Sequence, residues 1–188
     1  ISDLVFLVGP RINAAGRKES GGKAVELLKS NSREEVEKIA AEINQNNEAR
    51  KDLDKKATEE AKKMLTSCAD LTSKKTTVVY GKDWHKGVIG IVASRLIEKY
   101  YKPTIVFTKS NDLITGSARS VKDFDIYAAI ESCSHLLTHF GGHKFAAGLS
   151  LEEKNLESFK LLFEKEVEGS ILESQMIPEI EIDMEIEL

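Results

Sequence analysis

The sequence predicts an α/β protein: a mixed β-sheet flanked by helices and preceded by a long connector helix. Three observations predict it. From Thr76 onward, short apolar runs of strand character alternate with runs of helical period, which is how strands layered against helices read. Upstream, Val36, Ile39, Ala40, Ile43, Leu53, Ala57, Ala61, Met64 and Leu65 keep one helical period over many turns. The middle of that stretch, Asn44-Gln45-Asn46-Asn47, is polar all round. A helix with a solvated middle bridges two bodies.

Taken in order, the apolar segment Ile1–Gly9 reads as a strand that leads into a donor-rich loop, Gly9-Pro10-Arg11-Ile12-Asn13-Ala14-Ala15-Gly16-Arg17. A short helix is expected over about 22–30. Ser32 with Glu35 three residues on has capping-box spacing and starts the connector. Thr76–Tyr80 reads as a strand, Val88–Tyr101 as a helix and Thr104–Thr108 as a buried strand. Leu113–Ala118 pairs with that strand across Ser110-Asn111-Asp112. Asp125 caps a helix expected to reach about Thr138, ended by Gly141-Gly142. Ala146–Ser150 is a strand, and Asn155 opens a helix carrying Leu156, Phe159, Leu162 and Phe163. The strict alternation Ile180-x-Ile182-x-Met184-x-Ile186-x-Leu188 reads as a strand with one apolar face.

The 188 residues suffice for one ordinary domain plus an extension, and 41% hydrophobic residues can supply a core. No apolar run reaches the roughly 18 residues of a membrane span, and Ile1–Gly9 lacks the basic leader of a signal peptide. The net charge of −4 argues against nucleic acid until its distribution is read. Acidic residues gather after Leu151, whereas the stretch from Lys74 to Lys144 is basic, so a local basic face fits an acidic chain. Cys68 and Cys133 lie far apart without a CxxC. They read as small core residues in a reducing cytoplasm.

Two loops carry the chemistry. Gly141-Gly142-His143-Lys144-Phe145-Ala146-Ala147-Gly148 sets a histidine on a glycine backbone, and Gly116-Ser117-Ala118-Arg119-Ser120 sets an arginine between two hydroxyls. Glycines let a main chain approach a ligand, and serine, arginine and histidine are phosphate donors. Ser117, Arg119, Ser120, Gly141, Gly142 and His143 are therefore candidate phosphate ligands, with Arg11, Asn13 and Arg17 as a third donor-rich set. Gly81-Lys82-Asp83-Trp84-His85-Lys86-Gly87-Val88-Ile89-Gly90 follows a strand and opens a helix. It matches neither a Walker loop nor a dinucleotide fingerprint. It reads either as a tight turn with Trp84 as packing anchor or as a phosphate or base contact.

Metal and nucleophile patterns are weak. His135, His139 and His143 are spaced by four, but Gly141-Gly142 breaks the row and no HExxH is present. Asp52 and Asp54 diverge around Leu53, and Asp123 and Asp125 sit at a helix start, where capping accounts for them. No carboxylate cluster suits a two-metal centre. Cys133 and His135 diverge on a helix, which argues against a nucleophile–base pair.

Four blocks, Gly9–Arg17, Trp84–Leu96, Gly116–Ser120 and Gly141–Gly148, together resemble the RecJ-type single-strand-specific exonucleases of the DHH phosphoesterase superfamily. The resemblance covers essentially the whole chain, and its specificity rests on the order and spacing of the blocks. It implies residues 1–31 as the end of a catalytic DHH domain, 32–70 as the connector, 71–175 as a DHH-associated domain and 176–188 as entry into an OB-fold. It further implies 5′-to-3′ exonuclease action on single-stranded DNA in repair and recombination. The parent enzyme would use manganese or magnesium, with ligands outside this chain, so the chain alone would be inactive and hold no cofactor. Its expected partners are single-stranded DNA and the missing DHH domain of the same parent. By the same resemblance Ser117, Arg119 and His143, with Arg11 and Asn13, hold the DNA and its terminal phosphate, while Trp84 and Phe145 contact bases or pack. Two other readings stay open: an oligonucleotide or nucleotide phosphoesterase of the DHH superfamily, and a noncatalytic RNA-binding module like that of alanyl-tRNA synthetases.

Overall fold

Ser32 starts a helix as its spacing predicts: its side chain accepts the backbone N–H of Glu35, and α3 runs from Arg33 to Thr66. At 1.5 Å per residue its 34 residues reach about 50 Å. The computed structural model describes residues 2, 4–18, 21–67, 73–180, 182 and 184, with the backbone alone at 4, 7, 15, 17 and 18. Before α3 stand α1 (Gly9–Lys18) and α2 (Gly22–Lys29), both packed on its N-terminal half. Ile39 and Ile43 of α3 form a small core there with Leu27.

Here two expectations are corrected. The expected strand is helical: Leu4–Val8 forms a π-helical turn, and the expected loop over Gly9–Arg17 is α1. Short apolar runs do not distinguish strand from helix, and among the described residues no strand lies beside this one to bond its backbone. A helix satisfies those groups locally. The middle of α3 is not solvated either: Asn46, Asn47 and Asp54 are buried. Asp54 pairs with Arg95 at 2.7 Å, while Asp52 points out to solvent.

Beyond α3 the chain forms a five-stranded sheet in the order β1-β2-β3-β5-β4. Its strands are β1 (Thr77–Tyr80), β2 (Thr104–Ser110), β3 (Leu113–Arg119), β4 (His139–His143) and β5 (Ala146–Leu151). β1 and β2 are parallel, joined through α4 (Ile89–Tyr100); the other pairs are antiparallel. Asn111, in the left-handed region at φ 55°, turns β2 into β3, a conformation asparagine tolerates. On one face Ile105, Phe107, Ile114, Ala118, Leu149 and Leu151 pack against α5 (Ile126–Glu131) and α6 (Leu156–Ser170). Phe107 meets Phe159 edge-on at 5.7 Å, and Phe159 stacks on Phe163. Glu164 of α6 accepts the backbone N–H groups of Lys75 and Thr76 and so fixes the start of β1.

The opposite face carries a second core. Val79 and Val106 of the sheet pack under α4 through Val88, Ile89, Val92, Ala93 and Leu96, and Ala57, Ala61 and Leu65 of α3 complete it. This layer stops short. α4 crosses β1, β2 and β3, and no described helix packs on that side of β4 and β5.

One further expectation is corrected at the chain's later end. α5 stops at Glu131, and a 3₁₀ turn (Ser134–Leu136) follows; Gly141 and Gly142 then lie inside β4 rather than ending a helix. The expected terminal strand over Ile180–Leu188 lies largely outside the described residues, which omit 181, 183 and 185–188, as does Cys68; Ile180, Ile182 and Met184 have no assigned regular structure.

Candidate nucleic-acid interface

The uncovered half-face is a registered grid. Thr115, Ser117 and Arg119 of β3 point away from the α6 core, since Ile114, Gly116 and Ala118 point into it. Opposite residues in antiparallel strands share a face. Across β5 and β4 this gives three rows: Arg119–Ala146–His143, Ser117–Gly148–Gly141 and Thr115–Ser150–His139. The Thr115 and Ser150 hydroxyls bond at 2.9 Å, consistent with that register. The middle row is bare: a methyl placed on Gly141 or Gly148 would meet no atom within 4 Å. These two glycines make a floor of exposed backbone.

The first row is anchored by backbone hydrogen bonds at the hairpin beside it. β4 turns into β5 through Lys144-Phe145, whose carbonyls are held by Ile126 N–H at 3.2 Å and Ser120 N–H at 2.9 Å. His143 Nδ1 accepts the Phe145 N–H at 3.2 Å, so the neutral ring carries its proton on Nε2, an outward donor. Arg119 Nη1 donates to Ser117 Oγ at 3.2 Å and to Ala118 O at 2.7 Å. On the β3 side stands the first turn of α4. A methyl on Gly90 would come within 3.0 Å of both Arg119 Nη2 and Ser117 Oγ. Gly90 thus lets these donors lie against the positive end of a helix that has no side-chain cap.

Among the sequence-predicted residues, the structure unites Ser117, Arg119, Gly141, Gly142 and His143. Gly142 serves the fold: it has φ +155°, and a methyl there would lie 2.3 Å from the Ala146 carbonyl. Ser120 donates its hydroxyl to Phe124 O at 2.6 Å and supports the hairpin tip rather than facing the grid. Of the two readings of Trp84, the structure takes the packing anchor and not the base contact. It is 7% exposed, its ring fills the space beside Gly81, and its Nε1–H bonds Glu60 at 2.7 Å. That ring cannot stack on a base. Phe145 is 48% exposed at the hairpin tip, with Lys144 Nζ 4.6 Å from its centroid. Gly116, expected to admit a ligand, instead admits the Phe107 ring: a methyl placed on it would lie 2.5 Å from that ring, on the core side.

Arg11 and Asn13 belong to another neighbourhood. Both lie on α1, where Arg11 bonds Asn44 of α3 and Asn13 is exposed; the Arg17 side chain is outside the described residues. Cys133 is buried, its thiol pushed up to about 12 mainly by desolvation, and so is inert as a nucleophile. Among the described residues no three His, Cys, Asp or Glu side chains gather as a metal requires. Those residues do not fit a resident metal. No helix of the described residues is long and apolar enough to cross a membrane. The sequence singles out neither Gly90 nor Thr115 and Ser150 of this face, and offers His139 only as part of a histidine row; the even spacing of Thr115, Ser117 and Arg119 is the available signal.

Comparison with known proteins then places the fold. A family model described as the DHHA1 domain matches residues 73–169, which hold the sheet and nearly all of α4 to α6. The chain belongs to the DHHA1 domain family. The single-stranded-DNA-specific exonuclease RecJ of Bacillus subtilis (strain 168) is 36% identical over 182 residues, 95% of this chain and 23% of that protein. The magnesium-bound crystal structure of RecJ from Thermus thermophilus superposes with a TM-score of 0.80 at 30% identity, covering 89% of this chain and 26% of that one. The manganese-bound structure of the same enzyme gives 0.78 at 31% identity over 89% and 24%. This DHHA1 chain therefore spans about a quarter of each of these RecJ proteins. Likeness along nearly its full length includes α3 as well as the sheet.

Proposed function

We propose that this chain is the substrate-gripping part of a RecJ-like 5′-to-3′ single-stranded-DNA exonuclease, acting in DNA repair and recombination in the cytoplasm. The observation that carries the reading is the first row of the grid, where Arg119 and His143 stand in one register on either side of Ala146, beside the Gly141–Gly148 floor. The guanidinium, the Ser117 hydroxyl and the start of α4, which lie together, and His143 Nε2 across the row are assigned as donors for the 5′-phosphate. Phe145 at the tip offers a stacking face for a base, and Lys144 adds charge beside it. Hydrolysis belongs to a DHH domain of the parent enzyme, whose manganese or magnesium would activate water there. The residues of this chain bind and orient. We further propose that α1 and α2, with Arg11 and Asn13, side with that domain, and that α3 connects the two.

Each charge-assisted hydrogen bond contributes on the order of 1.5–3 kcal/mol. The chain by itself should bind single strands with a Kd of about 10⁻⁴–10⁻⁶ M, weakening as salt rises. Titration of 5′-phosphorylated and unphosphorylated single strands tests this. The chain should prefer the phosphorylated end, and Arg119→Ala and His143→Ala should each remove most of that preference. Unchanged binding in both variants would overturn the reading.

A further inference from the structure

The third row of the grid has no part in the clamp, yet it is built like a contact site. Thr115, Ser150 and His139 lie in register on β3, β5 and β4, two rows from Arg119 and His143. At about 3.3 Å per residue the outer rows stand about 13 Å apart, longer than the sugar–phosphate repeat of one nucleotide. An open depression of about 260 Å³ lies over this row, lined by Thr115, His139, Phe140, Gly148 and Ser150 among others. Its polar groups are two mutually bonded hydroxyls and an exposed imidazole.

We propose that this row is a second subsite, which holds the sugar–phosphate backbone of a single strand downstream of its clamped 5′ end. The inference rests on the clamp reading and adds a direction to it. A strand leaving the clamp cannot cross β2, because α4 covers that side of the sheet. Among the described residues no side chain rises from Gly141 or Gly148, a methyl at either meets no neighbouring atom within 4 Å, and this floor borders the depression. Backbone contact through hydroxyls and imidazole is indifferent to base identity, so the subsite measures length rather than sequence.

The test uses the whole chain with 5′-phosphorylated thymidine dinucleotide and octanucleotide, their affinities read by competition against a fluorescent strand. His139→Ala and the double change Thr115→Val with Ser150→Ala should each weaken the octanucleotide about three- to tenfold. The dinucleotide should be unaffected. Arg119→Ala should weaken both. His139 is exposed, so His139→Ala should keep the wild-type melting temperature and remains informative if the double variant is unstable. Unchanged octanucleotide binding in His139→Ala, or equal losses for both lengths, would overturn the subsite. Failure of the clamp looks different: Arg119→Ala would then be neutral and the 5′-phosphate without effect, whatever the distal variants do.

Discussion

On one side of the same sheet, β1–β2 and β4–β5 receive opposite treatment. Over β1 and β2 the residues are Val79 and Val106, and α4 and α3 bury them with Trp84, Val92 and Leu96. Over β5 and β4 the corresponding positions are Ala146, Gly148, Ser150, His139, Gly141 and His143, and no described helix covers them. The reverse face of β5 is apolar and packed, through Ala147, Leu149 and Leu151, with Phe140 of β4 partly buried against it. One face of β5 therefore does core work while the other holds donors and bare backbone. A sheet face that is polar, glycine-floored and uncovered beside a packed one is what a ligand surface needs.

Two aromatics, Trp84 and Phe145, separate the regions most strongly. Trp84→Ala should cost about 3–5 kcal/mol of stability, measured by denaturant unfolding, because it empties a packed site. Phe145→Ala should change stability by less than about 0.5 kcal/mol and instead weaken strand binding by about 1–3 kcal/mol if a base stacks there. A Trp84→Ala variant that stays stable and loses only binding would reverse the assignment. The paired glycines sharpen the comparison at smaller cost. Gly142→Ala should lose about 1–3 kcal/mol, since positive φ and the Ala146 carbonyl both oppose a side chain. Gly141→Ala meets open space and should leave the melting temperature level or slightly raised. Equal effects from the two would show that the floor is not open.

Much of the covered half was legible in the sequence. Ser32, the strands β1, β2, β3 and β5, and the helices α4 and α6 each follow from capping residues or apolar period, because packing and pattern agree there. The open half was read less well for the same physical reason. His139–His143 is glycine-rich and polar, with none of the β-branched residues that mark a strand; only its pairing with β5 makes it one. Arg119 and His143 were both singled out, but their standing in one row depends on register, which no local pattern reveals. Asn46 and Asn47 misled in the opposite sense, polar in sequence yet buried. Gly116 and Gly141 look alike as letters. One admits Phe107 and the other admits nothing, a distinction set by which face each residue takes.

The central claim is that the uncovered face of β4 and β5 is where a single strand lies. Gly148→Gln tests it most directly, for it raises a side chain from the middle of the floor, where a methyl meets no atom within 4 Å, and removes no donor. Affinity for a 5′-phosphorylated single strand should fall at least about tenfold, equivalent to roughly 1.4 kcal/mol, with the melting temperature unchanged. Wild-type affinity in a folded Gly148→Gln chain would contradict the account.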